Sequence, residues 1–134
     1  MKARLALLAA LLAVVALAAI GCSPNPYVNY RQWVYPATVM SISSICPSAT
    51  PTTYVGHDPS AALAVDFMTW STNCGYSMAN WAVHLAQIGG WHVHYICYRQ
   101  HIWNIQRAGE GWRLMPDRGS PTANHYDHVH VSMW

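Results

Sequence analysis

Charge is what this sequence has least of. Only 9% of its 134 residues are Asp, Glu, Lys or Arg, and its one lysine is Lys2. With Lys2 and Arg4 set aside, Arg31, Arg99, Arg107, Arg113 and Arg118 balance Asp58, Asp66, Glu110, Asp117 and Asp127. No basic patch remains to attract nucleic acid. None of the four cysteines forms a Cys-x-x-Cys pair, which argues against a four-cysteine zinc site. No apolar run beyond residue 20 approaches the roughly 20 residues that a membrane span needs. There is no internal repeat.

What is there begins with an export signal. Met1-Lys2-Ala3-Arg4 is basic, Leu5 to Ile20 is unbroken apolar sequence, and Gly21-Cys22 follows. That order reads as a signal peptide over residues 1–21. Ala19-Ile20-Gly21-Cys22 also resembles a bacterial lipobox, although Ala19 stands where that pattern prefers Leu. On this reading Cys22 carries lipid, and residues 22–36, with Ser23-Pro24-Asn25-Pro26, form a tether. The other reading is an ordinary signal peptidase site beside a cysteine. Both predict an extracytoplasmic protein, either a membrane-anchored lipoprotein or freely secreted. Residues 37–134 then form one small domain, a monomer with a single core. Export permits disulfides. Cys46, Cys74 and Cys97 allow one bridge and one free thiol, with the pairing open; Cys97, in an apolar strand pattern, reads as a small buried side chain.

Periodicity predicts a small α+β domain: an antiparallel sheet, one main helix and a long loop. The expected strands are Thr38 to Ile45, Leu63 to Trp70, Trp91 to Tyr98 and His125 to Met133. Cys46 to Gly56, with two prolines and several hydroxyl residues, reads as a loop. Ser77 can cap a helix that runs to Ile88 and stops at Gly89-Gly90. Arg99 to Asn124, rich in Gly, Pro and Trp, reads as a long functional loop.

Eight histidines invite over-reading. His84 falls on the polar helix face, and His101 has no partner at ligand spacing. His92-Val93-His94 lacks a nearby acid. His125-Tyr126-Asp127-His128-Val129-His130 has one, and strand alternation sends His128 and His130 to the same side. Asp66 lies inside an apolar strand, where an unpaired carboxylate is costly. A metal would supply its reason, as would a buried arginine such as Arg99. His57 stands nine residues ahead of it. Two imidazoles and one carboxylate suit a zinc ion with an open fourth position.

These residues carry a resemblance. Gly56-His57-Asp58 through Ala64-Val65-Asp66 resembles the His-to-Asp motif of the Hedgehog/D-Ala-D-Ala-peptidase fold, the group of lysostaphin and the D-alanyl-D-alanine metallopeptidases. His128-Val129-His130 resembles its closing His-x-His. His125-Tyr126-Asp127-His128-Val129-His130 is also similar to the His-x-x-His-x-His of the penicillin-insensitive murein endopeptidases. Arg99 to Asn104 and Asp117 to Val131 resemble a domain of secreted proteins of actinobacteria and their phages. The resemblance implies Zn2+ held by His57, Asp66 and His130, with His128 moving protons beside it. The sequence departs from the pattern in a longer His-to-Asp gap, in Val55 where Ser or Thr is usual, and in Asp127 where the dipeptidases and carboxypeptidases have Glu.

The function expected is a zinc metallopeptidase cutting the peptide stems or cross-links of peptidoglycan. His128, Asp127 and His125 are its acid–base group. Arg99 and Arg118 are candidates for gripping a substrate carboxylate, and Trp103 and Trp112 for stacking on sugar or peptide. Two rival readings exist: a non-catalytic zinc-containing module that binds peptidoglycan, and an exported metal scavenger holding more than one ion.

Overall fold

A computed structural model describes the backbone of residues 26–58 and 61–134, and the side chains of 36–52 and 63–134. The expected signal peptide and Cys22 lie outside the described residues. The compact unit that carries the candidate site runs from Val34 to Trp134.

The unit is α+β. In chain order the elements are helix α1 (Pro26–Ile45), strands β1 (Thr50–Asp58) and β2 (Ala61–Met68), helix α2 (Thr72–Ile88), strands β3 (Val93–Tyr98) and β4 (His101–Asn104), a 3-10 segment (Ile105–Glu110), and strands β5 (Arg113–Leu114) and β6 (His128–Met133). The six strands form one antiparallel sheet in the order β1-β2-β6-β3-β4-β5.

Alternation gives each strand two faces. Val65, Phe67, Ile96, Tyr98, Trp103, Val129 and Val131 share a core with Ile42 of α1 and with Met78, Ala82 and Leu85 of α2. Full burial of each large apolar side chain contributes roughly 1.5–3 kcal/mol. The residues between them, Asp66, Cys97, His128 and His130, fall on the opposite face. Ser71 caps α2, its hydroxyl accepting from the Cys74 amide. Trp81 of α2 donates its indole N–H to the Ser41 hydroxyl of α1 at 2.9 Å. Gly75 allows a close approach: a Cβ there would collide with the ring of Tyr98.

Four sequence expectations need correction. Residues 38–45 are helical, not a strand. Their β-branched character is overridden by burial at Thr38, Ile42 and Cys46, while Met40 and Ser44, which a strand would put on the same side, are exposed. The loop expected over 46–56 is largely strand β1; Pro51 is tolerated because β1 is the sheet edge. Helix α2 starts five residues earlier than Ser77, at Thr72. The expected loop over 99–124 contains β4, the 3-10 segment and β5. Cys46 and Cys74 form the bridge, tying the end of α1 to the first turn of α2, and Cys97 is the buried free thiol.

Candidate metal centre

The site is built on the face of β2 and β6 turned away from the helices. Register places Asp66 directly opposite His130, and His130 opposite Cys97 on β3. Asp66 Oδ1 accepts from His130 Nδ1 at 2.7 Å. Its Oδ2 lies 3.7 Å from His128 Nε2. His128 Nδ1 donates to Asp127 Oδ1 at 2.6 Å, and Asp127 Oδ2 accepts from the Thr122 hydroxyl at 2.6 Å. Two carboxylate–histidine pairs therefore stand side by side. In each, the carboxylate fixes the proton on Nδ1, so that Nε2 carries the lone pair a cation would use.

His125 completes the group from the turn before β6. Its amide donates to Thr122 O, its carbonyl accepts from the Arg99 amide, and its backbone is left-handed, with φ 57°. This conformation is disfavoured for a non-glycine residue. It brings the His125 ring within 4.8 Å of the His128 ring and 5.5 Å of the His130 ring, centroid to centroid. The ring nitrogens of His125, His128 and His130 lie within 4.8 Å of one another, and all three residues are buried. These three can hold a metal ion. Tyr95 stacks on the other side of His130 at 5.5 Å.

Protonation suits that use. Burial, and then the charges of His128, His130 and Arg118, push His125 down to about 4, so its imidazole is neutral in ordinary buffers. Burial works to raise Asp66. The hydrogen bond from His130, with the charges of His128, His130 and His125, outweighs it and keeps Asp66 ionised. Burial likewise opposes ionisation of Asp127, and hydrogen bonds from Thr122 and His128 overcome it. Cys97 differs. Burial pushes its thiol up to about 12, against the nearby charge of Arg118, so it stays protonated beside the histidines instead of offering a thiolate.

Fit to a cation is testable on one atom. His125 Nδ1 is buried and has no hydrogen-bond partner. A buried polar atom without a partner costs on the order of 1–3 kcal/mol. A metal ion in the cluster accounts for a ring held there at that cost. The donor set, imidazoles with carboxylates behind them, suits a divalent metal ion.

The structure thus brings together five of the residues singled out in the sequence: Asp66, His125, Asp127, His128 and His130. The His57 side chain lies outside the described residues. Its backbone belongs to β1, whose Thr52 pairs with Asp66 and whose Asp58 pairs with Ala61. His57 is five positions along from Thr52, about 16 Å at strand rise. Of the four expected substrate contacts, Trp103 is corrected: it is buried in the core opposite Ile96 and offers no ring face to a ligand. Arg99 lies over the Tyr126 ring at 4.8 Å, with Nη1 3.5 Å from the Thr72 hydroxyl. Arg118 is exposed, and its charge reaches His125 and Cys97. Trp112 is half-buried beside a cavity on the helix side of the sheet. Sequence reasoning gave His125 only an acid–base part. Its left-handed backbone, which moves the ring back over β6, has no signature in the periodicity.

No curated protein and no solved structure matches the chain. The family model of the VldE C-terminal domain matches residues 29–126. That span takes in Asp66 and His125 and ends just before β6. The chain belongs to the VldE C-terminal domain family.

Proposed function

We propose that the protein is an exported zinc metallopeptidase that hydrolyses peptide bonds in peptidoglycan stems or cross-links. The observation that carries this reading is the pair of carboxylate–histidine hydrogen bonds, Asp66 to His130 and Asp127 to His128, converging with the unpartnered nitrogen of His125. A buried group of this kind has little structural use without a cation, because apolar residues of the same volume pack as well at lower cost. The resemblance to the Hedgehog/D-Ala-D-Ala-peptidase fold rests on His57, Asp66 and the closing His128-Val129-His130, of which Asp66 and His130 are adjacent on neighbouring strands.

His125, His128 and His130 would hold the zinc. When bound, zinc supplies a Lewis acid that polarises a carbonyl and makes water acidic near neutral pH. Asp66 and Asp127 keep the His130 and His128 rings in orientation. Asp66 is also the ionised carboxylate at the cluster, and its Oδ2 has no short hydrogen bond, so it can accept a proton from an attacking water. Arg118, exposed and near His125, suits the carboxylate end of a peptide.

Metal content and hydrolysis of purified cell wall, measured on the same set of variants, test the reading. His125→Ala and His130→Ala should each lose most of the zinc and the activity, whereas His57→Ala should keep both. Zinc lost from His57→Ala and kept in His125→Ala would return the ligand set to His57, Asp66 and His130. His128→Ala separates two roles: zinc loss makes it a ligand, and retained zinc with a roughly hundredfold or greater drop in rate makes it the proton carrier. Stoichiometric zinc with no chelator-sensitive hydrolysis would identify a binding module.

A further inference from the structure

A second site lies on the other side of the sheet. Tyr98 follows Cys97 in β3, so while the thiol faces the histidines the phenol faces α2. There it helps line a cavity of about 270 Å3 with Tyr76, Ala79 and Asn80 of α2, His101 of β4 and Trp112. This is just below the roughly 300–1,000 Å3 of sites for drug-sized ligands. One ring-sized unit fits.

The lining specifies its chemistry. Three of the six lining residues are aromatic; Tyr76 packs at right angles on the buried Tyr98, centroids 5.2 Å apart, which leaves Tyr76 and the half-buried Trp112 as the rings open to a ligand. Tyr76 remains 51% exposed, and an apolar ring left in water at a cavity mouth is a surface prepared for contact. None of the polar groups carries a permanent charge. His101 Nδ1 donates to the Arg99 carbonyl at 2.8 Å, so in the neutral ring Nε2 is an acceptor. The Tyr98 hydroxyl donates to Thr72 O at 3.4 Å and accepts from the Arg99 side chain, so both its roles are met within the protein. Asn80 is exposed and supplies both a donor and an acceptor. No lining residue is acidic or carries a permanent positive charge; the nearest fixed charge is Arg99, already engaged with the Tyr98 hydroxyl.

A pyranose ring answers each feature. It presents faces of C–H bonds to aromatic rings, an edge of hydroxyls to Nε2 and amide groups, and no charge. Packing also shows a built corner. Gly75 lets the Tyr98 ring lie against α2 where any side chain would collide with it.

We propose that this cavity binds a neutral sugar unit of a glycan, so that the protein grips the carbohydrate strand on one face while its histidines address peptide on the other. The identity of that strand as peptidoglycan rests on the proposed function; the sugar chemistry of the cavity does not.

The test is calorimetric titration of the folded protein with a soluble trimer of β-1,4-linked N-acetylglucosamine. Saturable binding is expected, weakened about tenfold or more in Trp112→Ala and in Tyr76→Ala. It should be unchanged in His130→Ala. Tyr76 is exposed enough that its loss should leave the melting temperature near that of the parent. Absence of binding, binding unaffected by both aromatic variants, or displacement of the sugar by a free peptide stem would each overturn the proposal. Hydrolysis of a glycan-free peptide should be untouched by Tyr76→Ala, so failure here and failure of the peptidase reading give different results.

Discussion

His125 is held in two unfavourable ways at once. Its backbone is left-handed, which costs an L-residue roughly 1–2 kcal/mol, and its Nδ1 is buried without a partner. Both penalties belong to the metal-free protein, and a cation removes the second. Asn is the side chain best suited to left-handed backbone after Gly. His125→Asn should therefore bind far less zinc, yet unfold at equal or higher urea concentration than the parent when both are measured with chelator present. A gain of about 1 kcal/mol is expected from removing the buried, unpartnered Nδ1, since His, like Asn, is among the residues that left-handed backbone tolerates. A clear loss of metal-free stability would mean that the ring is a packing residue. Cys97 shows the opposite arrangement at the same scale: a buried thiol opposite His130, kept protonated by its surroundings and without need of a metal.

Among the elements, the two helices depend on a link that the sequence left open. The Cys46–Cys74 bridge closes a loop of 28 residues that contains the whole β1–β2 hairpin. In the chain-entropy account a loop of that length stabilises by about 3–4 kcal/mol. Cys46→Ser with Cys74→Ser should lower unfolding free energy by about that amount in denaturant, and reduction of the parent protein should match it. What could be read from sequence at this level was uneven, for physical reasons. Strand β2 and the end of α2 were legible because Ala64-Val65-Asp66-Phe67 alternates cleanly and Gly89-Gly90 stops a helix. Residues 38–45 were misread because Thr, Val and Ile favour strands locally, and only the exposure of Met40 and Ser44 between buried Thr38, Ile42 and Cys46 reveals the helix. The short strands β4 and β5 escaped notice because four and two residues carry too little periodicity to register. The joining of Asp66 to His130 was legible as chemistry but not as geometry. Nothing local says that strands so far apart in the chain are neighbours.

For the whole molecule, net neutrality of residues 22–134 fits a protein that meets its partner through shaped contacts instead of long-range attraction. Anchoring is the property its proposed substrate makes most consequential. If Cys22 carries lipid, two or more acyl chains hold the protein stably at a membrane. The protein from its native host should then enter the detergent phase and show added acyl mass at its first residue. Cys22→Ser should abolish both. A mature chain of unmodified mass in the medium would show ordinary cleavage and leave the metal centre unaffected.

Strand β6 has a consequence in time. It lies between β2 and β3, so it alone joins the β1–β2 hairpin to the β3–β4–β5 half of the sheet. It is also the last strand in the sequence and carries two of the three imidazoles of the cluster. A chain emerging from its N-terminus can fold the hairpin and helix α2 early, but the two half-sheets remain separate until His128–Met133 arrives. Pairing across such a separation is intrinsically slow. A partial chain that stops short of β6 lacks two of the three imidazoles that could hold a metal ion. The cluster is assembled in the same event that closes the fold.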